Sequence, residues 1–425
     1  MDNKQCVQIK FNQYCTKYQG KDLSKPEERL LSETAYGILR SGHVHLTRIG
    51  SSLEERIQLK KTCKRFSYHL GKSDLHQRLN ETHLSANRSF LSRCEYLIVD
   101  GSDVTKPFAR EMEGLGRVHD GSTGETSNGY WQLNLVGVRP KSSSIVLATS
   151  RLYSYQTEHE SPELSENSLI LSDLERIDQH ISKKQTVVID RGGDRRVLIE
   201  RFLSSGRPFI IRQTGKRHID CQGKQRSVET VGKATELNWS IDVIRHRGGK
   251  RKTCRFECGA VRVRFPYEHR EGSWEEPLWL VTVKRSGKQR CYFLSYIDAE
   301  TAEQAVRQVM EGYGCRWKIE EVHRQLKQDY NYESISLRRY LALRNFNTLF
   351  WITMGFLYQQ LEDISLKLIL EFREPLIYTG RFRNMGNFYL YKLSRVVRDC
   401  FLLSKIRGPS NRKKINSAQL VLAIE

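Results

Sequence analysis

Two acidic residues each close a short run of β-forming residues. Asp100 ends the run YLIVD at 96–100, and Asp190 ends the run TVVID at 186–190. A strand that ends at the rim of a sheet holds its last side chain on rigid backbone where a ligand can bind. Carboxylate oxygens are the ligands that Mg²⁺ prefers. A lone aspartate of this kind commonly forms a turn or caps a helix, so the repetition is what indicates a site.

A third acid lies on a segment, 301–330, that we predict to be one long helix. On an ideal helix, four of its residues fall within a sector of about 60°; they are Tyr313, Arg316, Glu320 and Lys327. One stripe would then present an aromatic ring, two cations and a carboxylate. The alternative is an exposed face on which Arg316 and Glu320 form an ordinary i,i+4 ion pair.

The segments around the two aspartates predict an α/β sheet covered by helices. Apolar runs of strand length alternate with amphipathic helical segments, which is typical of such sheets. The predicted strands are 96–100, 130–139, 145–153, 186–190 and 208–212, and the predicted helices are 164–181 and 194–204.

The flanking regions complete the predicted domain organisation. Residues 52–70 form a basic helix within a helical N-terminal region, which suits either a helix-turn-helix-like DNA module or a helical bundle with a solvated basic face. Residues 215–298 are basic and β-rich, and 245–255 hold six cations. We predict a helical DNA-binding domain at 1–90, the two parts of an α/β catalytic domain at 91–214 and 299–361, a β-rich insertion at 215–298, and a basic C-terminal region, a candidate for dimerisation, at 362–425.

The charge balance limits the class of partner. The chain has 425 residues with 70 Lys and Arg against 49 Asp and Glu, a net charge of +21. Such an excess favours a polyanionic partner, which relieves self-repulsion. Nucleic acid fits better than an anionic membrane, because no basic amphipathic helix of the membrane-binding kind is apparent. Charge does not separate an enzyme from a regulator.

The remaining composition predicts a reducing, intracellular setting. No apolar leader follows Met1, and the longest apolar stretch, 346–358, falls short of the roughly 20 residues that a membrane span needs. The ten cysteines are scattered, so we expect mostly free thiols. The pair Cys254 and Cys258 leaves a zinc site as an alternative to unpaired buried cysteines.

The four residues of the helical stripe carry a family resemblance. The spacing Tyr313-x2-Arg316-x3-Glu320-x6-Lys327 resembles the Y-x2-R-x3-E-x6-K signature of bacterial insertion-sequence transposases of the three-carboxylate (DDE) type. The contexts of Asp100 (DGSD) and Asp190 (DRGGD) are similar to those of that family's catalytic aspartates. The resemblance covers residues 30–360 and implies an RNase H-like catalytic fold with a β insertion before the glutamate.

The resemblance also implies roles, cofactors and partners. Asp100, Asp190 and Glu320 would hold two Mg²⁺ or Mn²⁺ ions, with Asp100 binding both. Tyr313, Arg316 and Lys327 would contact the DNA backbone, and Trp279 would stack on a flipped base or else pack in its hairpin. We expect Trp317 to pack. The expected partners are double-stranded DNA, as terminal inverted repeats and as target, and a second copy of the chain in a synaptic dimer, at the bacterial nucleoid in the cytoplasm.

Three other functions remain open at this point. A catalytically inactive DNA-binding regulator of transposition would keep the basic surfaces without needing three acids. A related hydrolytic nuclease would share the metal site but would not join DNA ends. A zinc-dependent regulator would use Cys254 and Cys258.

Overall fold

The structure is a computed structural model that describes residues 3–121, 124–142, 144–157, 165–181, 184–247, 250–266, 268–269, 272–273, 277–360 and 389–403. Five helices joined by short connections make up residues 3–91. Their bounds are α1 Asn3–Thr16, α2 Lys25–Ser41, α3 Leu46–Ser52, α4 Leu59–Lys72 and α5 His76–Leu91. Helix α2 begins at Ser24, which forms a capping box with Glu27, and ends before Gly42 in the left-handed conformation. The basic helix predicted at 52–70 forms only from Leu59 onward, as α4; helix α3 ends at Ser52, and residues 53–58 connect the two helices.

Five strands and two helices follow in the predicted order. They are β1 Tyr96–Thr105, β2 Gly116–His119, β3 Thr126–Val138, β4 Ile145–Tyr153, α6 Glu166–His180, β5 Thr186–Ile189, α7 Arg196–Ser204 and β6 Phe209–Gln213, with β2 as an additional short strand. Strand β1 pairs antiparallel with β3 and parallel with β5, and β5 pairs parallel with β6. Strand β1 runs five residues beyond Asp100, so the prediction that the strand ends there is wrong.

The β-rich segment extends the same sheet. It comprises β7 His218–Cys221, β8 Lys224–Ser227, α8 Val228–Ala234, β9 Trp239–Arg247, β10 Lys250–Val263, β11 Glu268–His269, β12 Gly272–Ser273, β13 Leu278–Arg285 and β14 Cys291–Tyr296. In the described part of the chain, one ten-stranded sheet has the order β2-β3-β1-β5-β6-β14-β13-β10-β9, with β4 also on β3. Strand β14 pairs directly with β6, so the β-rich segment continues the sheet formed by β1–β6.

The long helix predicted over 301–330 is broken. Helix α9, Ala302–Gly314, ends one turn before α10, Trp317–Arg324, and a π-helical turn, Gln325–Asp329, follows. After a short 3-10 turn, α11 covers Tyr340–Gln359 and α12 covers Tyr389–Leu403. Of the predicted C-terminal region at 362–425, everything outside α12 lies outside the described residues. None of the helices in the described ranges combines the length and apolarity that a membrane crossing needs.

The sheet has an apolar core on each face. One core joins Ile98, Val188 and Ile210 to the N-terminal helices and to α9, α10 and α11. The other joins Leu97, Val187 and their neighbours to α6 and α7. Since side chains alternate along a strand, Asp100 belongs to the same face as Ile98. That face carries α9 and α10, which bring the third acid.

Candidate active site

The two aspartates lie side by side because their strands are parallel neighbours. The ladder between β1 and β5 ends at the pair Val99 and Ile189, so Asp100 and Asp190 occupy the next positions along the two neighbouring segments. Strand β1 continues past this point on its other edge, where Asp100 pairs with Asn134 of β3. The sequence-based prediction that these two acids meet at one rim thus agrees with the strand pairing.

Asp190 is held by the turn that follows it. Its Oδ1 accepts a hydrogen bond from Gly192 N at 2.7 Å, and it caps the 3-10 turn Arg191–Gly193. Gly193 folds back so closely that a Cβ there would lie 2.5 Å from Ile189 Cγ2. A larger residue would push the turn away from the strand, so glycine at this position keeps Asp190 in place.

A buried ion pair fixes the far end of the same loop. Asp194 pairs with Arg217 at 2.6 Å, with both side chains largely buried, and its Oδ2 accepts bonds from N and Oγ1 of Thr214. The loop after β5 is thereby tied to the segment after β6. Sequence reasoning missed this role, although the second acid of the DRGGD motif is a visible signal.

Helix α10 is hydrogen-bonded to β3 through Asn134, the residue that pairs with Asp100, and to the loop that follows β3. Lys318 donates from Nζ to the carbonyls of Arg139 and Ser142 at 2.9 and 2.8 Å. His323 lies 3.0 Å through Nε2 from Nδ2 of Asn134, the residue that pairs with Asp100. Burial lowers the pKa of His323 to about 3, so the ring is neutral and its Nε2 accepts from Asn134. These contacts orient the helix that carries Glu320.

Arg316 lies between Asp100 and Glu320. Its Nη1 is 3.5 Å from Asp100 Oδ2, and its Nη2 forms a direct ion pair with Glu320. The side chains of Arg316 and Asp100 are each 19% exposed, whereas that of Glu320 is 47% exposed. The predicted i,i+4 pair of Arg316 and Glu320 is present, and it extends to the strand acid.

Burial and the neighbouring charges set the pKa of Asp100. Burial raises the pKa of Asp100 to about 7; Arg316 opposes this rise, while Asp190 and Glu320 add to it. Both other carboxylates are therefore near enough to disfavour the charge on Asp100. A cation placed among them would relieve this repulsion.

The donor set fits a hard divalent ion, although the acids do not converge on one. Within the described residues, no three His, Cys, Asp or Glu side chains form a group that could hold a metal ion. All donors at this site are carboxylate oxygens, which suit Mg²⁺, and Arg316 already places positive charge between two of them. It is therefore the chemistry of the donors, and not their present arrangement, that fits such an ion.

Tyr313 lies beside Arg316, at one side of this site. It lies near the end of α9, where its ring meets Phe293 edge-on at 4.6 Å and lies 5.7 Å from the Arg316 guanidinium. Its hydroxyl bonds to Arg212, whose pKa is raised above its ordinary value despite burial. The preceding Gly312 lets α9 press onto β1, since a Cβ would lie 2.6 Å from the Tyr96 ring.

Lys327 pairs with two carboxylates other than the three acids. Its Nζ lies 2.7 Å from Asp103 Oδ2 and 3.4 Å from Glu333 Oε1, in the π-helical turn that follows α10. The predicted single stripe fails here because the helix is broken and then widened, so the 3.6-residue repeat no longer applies. Lys327 joins the end of the glutamate helix to β1 and to the loop before α11.

For Trp279 the structure shows packing in its hairpin, one of the two expected roles, and for Trp317 it shows exposure instead of the expected packing. Trp279 is 5% exposed, donates from Nε1 to Ala299 O at 3.1 Å, and has Arg262 3.9 Å above its ring. This placement contradicts base stacking by Trp279, because both its polar tip and a ring face are occupied. Trp317 is 55% exposed, three residues before Glu320 on α10, so the expectation that it packs is wrong.

The cysteines of the zinc alternative lie in the core. Cys254 and Cys258 are buried on β10 in the same apolar cluster as Ile98. Burial raises the pKa of Cys258 to about 11. Zinc binds the thiolate form, so this environment disfavours a zinc site at Cys258.

Comparison with known proteins gives a family match. The family model described as "Transposase DDE domain" matches residues 95–354, which is well over half of the chain and includes all three acids. No curated protein matches the chain. Among solved structures, the cryo-EM structure of a piggyBac transposase synaptic complex with hairpin DNA gives a TM-score of 0.42 at 10% identity, covering 98% of this chain and 85% of that chain. A similarity that low does not bear on the fold or the function.

Proposed function

The chain belongs to the family of transposase DDE domains, and we propose that it is a catalytically active DNA transposase whose reaction centre is Asp100, Asp190 and Glu320. It would bind the ends of a mobile element, cut the phosphodiester there and join the freed end to target DNA. The proposal rests above all on the meeting of two adjacent strand positions, Asp100 and Asp190, with the helix that carries Glu320.

We infer that the catalytic domain is RNase H-like. The supporting observation is the strand order β4-β3-β1-β5-β6, antiparallel across the first three strands and parallel across the last three. Helices α6 and α7 connect the strands on the face away from Asp100. In this arrangement the β-rich segment is an insertion that lengthens the sheet.

We propose that the three acids hold two divalent ions, Mg²⁺ or Mn²⁺. Asp100 would bind both, and Asp190 and Glu320 would bind one each. Two such ions activate the attacking oxygen and stabilise the leaving oxygen of an in-line displacement. Arg316 would exchange its carboxylate partners for a DNA phosphate, to which its planar fork is suited. Tyr313, beside Arg316, would donate its hydroxyl to a phosphate near the cut.

We propose that α4 binds DNA through its exposed basic face. Lys60, Lys61, Lys64 and Lys72 are exposed along this helix, and Tyr68 is 60% exposed with Lys72 Nζ 5.8 Å from its ring centroid. Arg65, which the sequence assigned to the same surface, instead pairs with Glu33 and Glu55 at 2.6 and 3.0 Å. It holds the helices together, so the DNA-binding face is narrower than predicted.

The finer assignments follow from this function. We propose a bacterial insertion-sequence transposase that acts on terminal inverted repeats and target DNA as a synaptic dimer at the nucleoid. The functional division would be DNA-binding at 1–90, catalytic at 91–214 and 299–361, insertion at 215–298, and a C-terminal region at 362–425. Lys327 would support the reaction by holding the glutamate helix, through Asp103, rather than by binding phosphate.

The test is metal-dependent cleavage by the purified full chain. Duplexes from the DNA that flanks the coding region are incubated with Mg²⁺ or Mn²⁺, alongside the variants Asp100→Asn, Asp190→Asn and Glu320→Gln. Each variant is expected to lose cleavage by about 10³-fold or more while retaining duplex binding. Glu303→Gln, an exposed carboxylate on α9 that pairs with Arg307, is the matched control.

The outcomes separate the candidate functions. Cleavage that persists in all three variants contradicts the assigned centre. Binding without cleavage by the parent chain supports an inactive regulator. Pre-cut ends incubated with a target plasmid decide between a transposase and a hydrolytic nuclease. Joined products support a transposase, and cutting without joining supports a nuclease.

A further inference from the structure

A side-chain hydrogen bond joins the strand beside Asp100 to the helix that carries Glu320. Asn134 of β3 pairs directly with Asp100 across the antiparallel ladder. Its Nδ2 donates to Nε2 of His323 on α10 at 3.0 Å. Residues that pair across a ladder share a face of the sheet. The bond therefore starts on the face that carries Asp100 and ends about one helical turn from Glu320.

Helix α10 meets the strands of the site on both sides of Glu320. Before it, Arg316 Nη1 lies 3.5 Å from Asp100 Oδ2. After it, His323 is a surface neighbour of Glu320, because residues three apart lie side by side on a helix. Lys318 attaches the same helix only to the loop that follows β3. If Arg316 leaves Asp100 for a DNA phosphate, as proposed above, the contact of His323 is the one that remains.

Stability alone does not account for an asparagine at position 134. The residue is 0% exposed, and within the described residues its Oδ1 is buried without a hydrogen-bond partner. A buried polar group without a partner is destabilising, whereas apolar groups of the same shape in place of two polar partners can be neutral or stabilising. The preceding pair on this face, Ile98 with Val136, is apolar and belongs to the core.

We propose that Asn134 and His323 are positioning residues for the metal site of Asp100, Asp190 and Glu320. A hydrogen bond constrains both the distance and the direction between its partners, whereas an apolar contact lets a helix slide. A functional site needs its side chains held to within about 0.5 Å, and partners that orient metal ligands typically contribute about 10–100-fold to metal affinity. The inference rests on the proposed function for the metal, and it concerns two side chains that hold the helix of Glu320 in place.

The decisive variant is the double replacement Asn134→Leu with His323→Phe in the full chain. It exchanges both polar partners for apolar side chains of similar size, so the melting temperature without metal is expected to be retained or to rise. Calorimetric melting is then repeated at stepped Mn²⁺ concentrations without DNA, and the apparent Kd is taken from the concentration dependence. The apparent Kd of the double variant is expected to be at least about tenfold higher than that of the parent.

Two further variants separate positioning from general stability. His323→Gln keeps an acceptor for Asn134 Nδ2, because its Oε1 can accept, so its apparent Kd is expected to stay near that of the parent. Asn345→Leu is the matched control: Asn345 is also 0% exposed, lies on α11, and bonds through its amide to the backbone of Leu70 and Ser73. It should lower the melting temperature and leave the apparent Kd unchanged.

The outcomes distinguish this inference from the proposed function. An Mn²⁺ effect that is equal in the parent and in the double variant would overturn the positioning role alone. A similar rise in the apparent Kd of Asn345→Leu, or of His323→Gln, would also overturn it. Absence of any Mn²⁺ effect in the parent would overturn the metal site itself and this inference with it. If the double variant fails to fold by circular dichroism, His323→Phe alone carries the same expected rise in apparent Kd.

Discussion

The guanidinium of Arg316 lies between two acids that come from different parts of the fold, 3.5 Å from Asp100 Oδ2 and in direct contact with Glu320. Arg316 thereby opposes the rise in the pKa of Asp100, which burial causes first and to which Asp190 and Glu320 add. A divalent ion that binds the same carboxylates must compete with this internal cation. Arg316 would then be free to meet the phosphate that arrives with the DNA.

Replacing Arg316 by Ala is expected to separate these two effects. Without the metal, the variant should lose about 1–3 kcal/mol of unfolding free energy, because the partly buried Asp100 loses its cationic partner. Added Mg²⁺ or Mn²⁺ should raise the melting temperature more in the variant than in the parent, since no guanidinium competes. Cleavage should nevertheless fall. Calorimetric melting with and without metal measures the first two effects.

Arg316→Lys is the control for charge alone. It retains a cation near the acids but lacks the planar fork, so it should recover most of the metal-free stability and little of the cleavage. If the metal-induced rise in melting temperature is equal in the parent, Arg316→Ala and Arg316→Lys, then competition between Arg316 and the ion is wrong.

The exposed Trp317 and the buried Trp279 give a matched pair of substitutions. Trp317→Ala is expected to weaken duplex binding by about 1–3 kcal/mol, the typical value of stacking on a base, with little change in melting temperature. Trp279→Ala should instead cost about 3–5 kcal/mol of stability, because a buried ring is lost. Parallel anisotropy and melting measurements check both. Destabilisation by Trp317→Ala without a change in duplex binding would contradict a DNA-contacting role for the exposed Trp317.

The part of the site that depends on strand order was accessible from the sequence. The runs up to Asp100 and Asp190 are short, apolar and rich in β-branched residues, and parallel pairing of neighbouring strands brings the last residues of the two runs side by side, although β1 itself continues. The pairing of Val99 with Ile189 follows that pattern. Local composition and periodicity suffice to predict these two strands, because both are buried on two faces of the sheet.

The remainder depends on tertiary contacts that periodicity does not encode. Helical spacing predicts that Lys327 shares a face with Glu320. Helix α9 instead ends at Gly314, and a π-helical turn follows α10. Lys327 then forms an ion pair with Asp103. The environments of Trp279 and Trp317 depend on which elements cover them. Similarly, the pairing of β14 with β6, which merges the insertion into the catalytic sheet, is a long-range choice of partner.

The basic face of α4 can be tested against the neighbouring Arg65. Lys60→Ala, Lys61→Ala and Lys64→Ala combined are expected to reduce the slope of log K against log salt by up to about 2.7, near 0.9 for each lysine, without destabilising the fold. Arg65→Ala should leave that slope nearly unchanged and lower the melting temperature, since Glu33 and Glu55 each lose one of their two arginine partners. The reverse pattern would show that Arg65, and not the lysines, binds DNA.

The buried His83 makes stability depend on pH in a defined direction. Burial lowers its pKa to about 4, partly offset by its bond to Leu147 O at 2.7 Å, while the unfolded chain has the ordinary value of about 6.5. The unfolded state therefore binds a proton first as the pH falls. The stabilising contribution is complete above pH 6.5 and is lost progressively down to about pH 4, a change of about 3 kcal/mol.

Urea unfolding of the parent and of His83→Gln measures this contribution to the free energy of unfolding. The parent should be more stable at pH 7, and the difference in free energy of unfolding between the two proteins should narrow by pH 4.5. His119→Gln, at an exposed position, should follow the parent throughout, and a gap between the parent and His83→Gln that stays constant from pH 7 to 4.5 would refute this linkage.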